Sequence, residues 1–177
     1  MRRKLSIYCV LVATNAFIFT TAYAQGSPQQ PAAGGLLTSV PFDIPYGVPI
    51  NLQDANRALN RALAESEKRG WPEAVAIVDT YGELVAFAKM NDTQNASPNL
   101  AIRKGATAAR FRRETRMFYN AFEGGHAYLQ TLDSSLSASP GGIPIIMSGK
   151  VVGAIGCSGG NGDQDAEICE AGARELK

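Results

Sequence analysis

Two pairs of short apolar runs, each pair joined by a tight turn, constrain this chain more than any other feature. The first pair is Ala74–Val78 and Leu84–Ala88, linked by Asp79-Thr80-Tyr81-Gly82-Glu83. The second is Ile143–Met147 and Lys150–Cys157, linked by Ser148-Gly149. Runs this short, rich in Val, Ile and Phe and separated by Gly-bearing turns, predict two β-hairpins. Their sheet is therefore expected to be mainly antiparallel.

Around the hairpins the apolar period changes from two to about 3.6. Leu52, Ala55, Leu59, Ala62 and Leu63 predict a helix over Leu52–Lys68, capped by Asn51 and ended by Gly70. Ser97-Pro98 predicts a second start, with the hydroxyl as cap and Pro98 in the first helical position. That helix is expected to reach about Arg113. A further apolar-aromatic segment (Met117, Phe118, Phe122) stops at Gly124-Gly125. Asn161 with Gln164 has the spacing of a capping box, opening a last helix over roughly Asp163–Leu176. The order is helix, two strands, helices, two strands, helix, which predicts an α+β domain with helices covering an antiparallel sheet.

The domain does not use the whole chain. Arg2, Arg3 and Lys4 precede an apolar run from Leu5 to about Phe19, and Ala22-Tyr23-Ala24 follows. This has the form of a secretory signal peptide over residues 1–24, cut before Gln25. Residues 25–41, rich in Pro, Gly, Gln and Ala, read as a flexible arm, leaving 42–177 as one domain. Loss of the three leader cations changes the net charge from +1 to −2. A near-neutral chain lacks the electrostatic footprint of a nucleic-acid or anionic-membrane binder. The expected product is periplasmic or secreted, with no membrane association after cleavage. It keeps Cys157 and Cys169, which suit either a disulfide in an oxidising compartment or two packed thiols.

Several residues are chemically conspicuous. If helical phase runs on from the second helix, Leu100, Thr107, Ala108, Phe111, Thr115 and Phe118 share one stripe, with Lys104 in its middle. A lysine there either snorkels to the rim or enters a polar pocket, where it can pair with a ligand carboxylate. His126, the one histidine, follows Gly124-Gly125 and precedes Tyr128. Haem iron needs one or two axial donors, so His126 or Tyr128 would suffice, whereas zinc needs a convergent set. The strand-to-helix junction at Ser158, Gly159 and Gly160 offers backbone N–H groups that could cradle an anion, or is simply a tight turn. Asp79, Glu83, Asp163, Asp165 and Glu167 show no paired acid–base spacing, and Asp163 and Glu167 read as first-turn acids.

Three segments together resemble a known family: AVAIVDTYGELVAFAKM over 74–90, IRKGATAARFRRET over 102–115, and PGGIPIIMSGKVVGAIGCSGGNGDQD over 140–165. Their order and spacing are similar to those of the GlcG/HbpS/PduO-C family, the "haem-degrading" DUF336 domain, from about Leu52 to Gly172. The resemblance implies a profilin-like fold, assembly as dimers or higher homo-oligomers, and a small-ligand role, with haem the foremost ligand. Lys104 and Thr107 fall in the family's lysine-bearing helix motif. Gly105 replaces the usual Ala, and Cys157 stands where Val is common. On this reading Lys104 and Arg110 neutralise ligand carboxylates and Phe111 packs a flat ring. His126 or Tyr128 meets the iron, with Thr107 and Lys104 as further donors. An enzyme or accessory subunit acting on a small hydroxy- or keto-acid in the same pocket is the alternative, as is an interaction module without a ligand.

Overall fold

Cross-strand register joins the two hairpins into one sheet. The computed structural model describes residues 44–177, so the leader, the arm and positions 42 and 43 lie outside the described residues. Helix α1 (Leu52–Arg69) is followed by β1 (Ala74–Asp79) and β2 (Leu84–Lys89), then α2 (Ser97–Phe111) and α3 (Thr115–Glu123). A short 3-10 turn (Ala127–Thr131), β3 (Gly142–Met147), β4 (Lys150–Ser158) and α4 (Gly162–Arg174) complete the order. Both hairpins form as expected, and β1 pairs antiparallel with β4, giving the strand order β2-β1-β4-β3. The α+β class and the antiparallel sheet are those the sequence predicts.

Alternation along the two central strands gives the sheet two unlike faces. Val75, Ile77, Ile155 and Cys157 point into the larger core, where α1 supplies Ala55, Ala58, Leu59 and Ala62, and α4 supplies Ile168, Cys169 and Ala173. The opposite face is built from small side chains. Ala74 and Ala76 meet Ala101, while Val78 and Ala154 meet Ala108 and Ala109 of α2. Small residues let the α2 backbone lie directly on β4: a Cβ at Gly156 would stand 2.0 Å from the carbonyl oxygen of Ala101. The glycine-rich motif of β4 is thus, at this position, a close-packing device.

Both ends of α1 and the start of α4 follow the sequence, whereas the start of α2 does not. Asn51 accepts from the Asp54 N–H at 2.9 Å, Gly70 ends α1 in the left-handed region, and Asn161 with Gln164 forms the full capping box. Ser97, by contrast, does not cap α2. Its side chain is buried and accepts from the Ser158 hydroxyl at 3.3 Å, so its oxygen is committed to the β4 terminus. The single helical stripe is also corrected. Arg112 turns into the left-handed region (φ 52°) and ends α2 at Phe111, so Thr115 and Phe118 belong to a separate helix. The buried face of α2 is Ala101, Lys104, Gly105 and Ala108, at i, i+3, i+4 and i+7, while Leu100 is partly exposed. Ahead of α1, residues 44–50 run along β4: Gly47 and Ile50 donate to the carbonyls of Val151 and Val152.

Candidate functional site

Lys104 reaches from the α2 layer past the end of β4 to the α4 layer. Its ammonium donates to Asp165 Oδ2 at 2.5 Å and to the Cys157 carbonyl at 3.2 Å, and both side chains are under 5% exposed. The other Asp165 oxygen accepts from the backbone N–H groups of Gly159 and Gly160, at 3.1 and 2.9 Å. The junction expected to cradle an anion therefore does hold a carboxylate, one supplied by α4 itself. Gly141, at φ +111°, lies against this pair. A Cβ there would come within 2.7 Å of Asp165 and 3.1 Å of the Lys104 nitrogen. Lys104 is neither a snorkelling lysine nor, in this conformation, one offered to a ligand; it has an internal counter-ion.

A second carboxyl shares this region. Glu73, just before β1, is fully buried, and among the described residues neither of its carboxyl oxygens has a hydrogen bond of ordinary geometry, although the Asp165 side chain and the Gly160 N–H approach it. Burial first, and then the negative charge of Asp165, push its carboxyl up to about 8, while Lys104 pulls the other way. In the sequence Asp165 is one of several scattered acids, and Glu73 carries no motif that marks it. Nothing local could have joined residues 73, 104 and 165, because they meet only when β1, α2 and α4 converge.

The remaining sequence candidates fall in different places. The Thr107 hydroxyl accepts from the Ser137 N–H at 2.9 Å, and Arg110 donates to the Tyr81 carbonyl and to Ser135, so both pin the 127–141 segment and the β1–β2 turn to α2. Phe111 packs edge-on to Phe118 with ring centroids 5.1 Å apart. His126 and Tyr128 lie together beyond the end of α3, with ring centroids 6.1 Å apart and Tyr128 largely exposed. Among the described residues no hydrogen bond or ring contact joins this pair to Lys104. Cys157 and Cys169 form a disulfide that ties the end of β4 to α4, which settles the alternatives the sequence left open.

A cleft of about 420 Å³ between α3, β3 and α4 was not foreseeable from residue spacing. Its floor includes Met117, Ile143, Pro144, Ile146 and Ala173, and its cations are Arg112, Arg113, Arg116, Arg174 and Lys177 against two acids, Glu114 and Glu170. Some of this charge is compensated: Arg116 meets Asp163 at 2.6 Å and Arg174 meets Glu170 at 3.0 Å. Burial and then the neighbouring Arg112 hold the Arg113 guanidinium below its ordinary value, while it donates to the Phe111 carbonyl and lies over the Phe118 ring. An apolar floor under a cationic rim suits a flat apolar ring bearing carboxylates. Among the described residues, no helix is long and apolar enough to cross a membrane.

Comparison with known proteins agrees with this architecture. Residues 50–174 match the family model described as "Haem degrading protein HbpS-like". Protein GlcG of Escherichia coli is 31% identical over 111 residues, which cover 63% of this chain and 82% of GlcG. A double-substituted form of HbpS from Streptomyces reticuli superposes with a TM-score of 0.69 at 26% identity, covering 74% of this chain and 89% of that one. A structure described as a PduOC:haem complex shares the fold with a TM-score of 0.68 at 24% identity, over 73% of this chain and 96% of that one.

Proposed function

The chain belongs to the HbpS-like family of haem degrading proteins, and from that premise we propose that it is an exported binding protein for a small, flat, anionic ligand, with haem the first such ligand. The observation that carries this reading is the cleft between α3, β3 and α4, whose apolar floor and five-cation lining match a ring with carboxylate side chains. Ring burial on Ile143, Pro144, Ile146 and Met117 supplies the hydrophobic part. The guanidinium groups of Arg112, Arg113, Arg116 and Arg174 supply planar, fork-shaped recognition of carboxylates. Haem, when bound, would bring redox-active iron. The Met117 thioether in the cleft and His126 beyond the same helix are the donors to test. Lys104, held by Asp165, contributes to the scaffold under this reading.

Export is supported by the leader-like residues 1–24 and by the Cys157–Cys169 disulfide, a bond that persists in oxidising compartments. Homo-oligomeric assembly, which the resemblance implies, belongs to the same proposal. The test is a haemin titration followed by Soret absorption. Saturable binding is expected, and Arg116→Ala or Arg174→Ala should each weaken it about tenfold, the scale of one charge-assisted hydrogen bond. Met117→Leu and His126→Ala should separate the two iron donors by which one alters the holo spectrum. A weak, non-saturating drift, or binding untouched by both arginine variants, would overturn the assignment of the cleft.

A further inference from the structure

The end of the sheet under the 90–97 loop holds two buried carboxyls and one ammonium. Asp165 takes the Lys104 ammonium and two backbone N–H groups. Glu73 is as deeply buried but makes no hydrogen bond of ordinary geometry: its carboxyl only approaches the Asp165 side chain and the Gly160 N–H. One cation neutralises one carboxylate, and a second, unpaired charge in such a place is strongly unfavourable. One ammonium beside two buried carboxyls therefore favours Glu73 as the neutral acid while Asp165 pairs with Lys104. The groups that face it are Asp165 from α4, Lys104 from α2 and the Gly160 N–H from the β4–α4 turn.

The backbone around Glu73 is what its charge state would move. Its carbonyl accepts from the Met90 N–H at 2.9 Å, which anchors the start of the 90–97 loop. Gln94 donates to the Gly159 carbonyl at 3.4 Å, tying the same loop to the β4–α4 turn. Thr93, in the middle of the loop, has a buried hydroxyl that also lacks a partner among the described residues. Gly159 lies so close to β1 that a Cβ on it would approach the Glu73 Cα to 2.9 Å.

We propose that Glu73 is a proton-held latch: its acid form closes this end of the sheet around the Lys104–Asp165 pair, and loss of its proton to solvent base loosens the 90–97 loop and the Gly159–Gly160 turn. The structure brings together the parts this needs: a buried acid without a cation of its own, an ion pair beside it, and a loop bonded to the Glu73 and Gly159 carbonyls. Its midpoint follows from the same burial and charge that push the Glu73 carboxyl up to about 8. The inference is independent of the cleft and of any ligand.

The experiment is a pH titration of the full chain by two methods. Nuclear magnetic resonance of carbon-13-labelled glutamate should show the Glu73 carboxyl protonated at neutral pH and titrating near pH 8. Amide exchange, corrected for base catalysis, should show protection at Met90, Gly159 and Gly160 falling at least tenfold over the same interval. Glu73→Gln should keep that protection constant. A Glu73 carboxyl already ionised at neutral pH would overturn the latch. So would titration without loss of protection, or an equal loss in Glu73→Gln. If the variant does not fold, the wild-type carboxyl titration and its coincidence with the amides decide alone.

Discussion

Lys104 of α2 and Asp165 of α4 form an ion pair across the end of β4, their charged atoms 2.5 Å apart and both side chains under 5% exposed. The two helices lie on opposite faces of the sheet, so this contact spans all three layers. Two turn glycines complete the shell of Asp165 through their N–H groups. A pair buried so fully is maintained by geometry, because its attraction must offset the removal of two charges from water.

Removing one member should cost more than removing both. Lys104→Met is expected to destabilise the fold by roughly 3–5 kcal/mol, because Asp165 is left buried and unpaired. Lys104→Met combined with Asp165→Leu should recover part of that loss. Urea denaturation of the three chains checks it, and equal, additive losses would show that the pair is not coupled.

Stability should fall as the pH rises through the range where Glu73 differs between folded and unfolded chains. Unfolded, the carboxyl titrates near its ordinary value; folded, burial and Asp165 push it up to about 8. Between those values the folded state holds a proton that the unfolded state has lost, so the favourable contribution is complete below the lower value and gone above the upper. The slope for one such group is at most about 1.4 kcal/mol per pH unit. Denaturation midpoints measured from about pH 5 to about pH 9 should decline in the wild type and flatten in Glu73→Gln.

The Cys157–Cys169 bridge closes a short loop between β4 and α4, and both cysteines are fully buried. Replacing both by alanine should lower stability by roughly 3 kcal/mol if loop closure in the unfolded chain dominates. Reductant should act on the folded protein only as fast as it unfolds, which thiol labelling against time can follow.

Gly156→Ala tests the close approach of α2 to β4. The new Cβ would stand 2.0 Å from the Ala101 carbonyl oxygen and 2.5 Å from the Gly105 nitrogen. Backbone must shift on one side, so a loss of roughly 1–3 kcal/mol or more is expected. Thermal unfolding measures it, and an unchanged midpoint would mean that α2 can ride outward without cost.

What could be read from residues alone was what depends on near neighbours. Hairpin turns, helix periods and the Asn161–Gln164 capping box all lie within a few positions of one another, so backbone preference and hydrogen bonding fixed them locally. The similarity of segments 74–90, 102–115 and 140–165 to a family likewise gave the fold. Tertiary structure alone decided that β1 joins β4, that Ser97 bonds to Ser158 and not to its own helix, and that Arg112 breaks the aromatic stripe. It also gave the buried lysine an aspartate 61 residues away in the chain, beside a buried glutamate without a cation of its own. The physical reason is common to all of these: the free energy of a buried charge, a close-packed glycine or a cationic cleft depends on what three-dimensional packing brings against it, and sequence spacing carries no record of that distance.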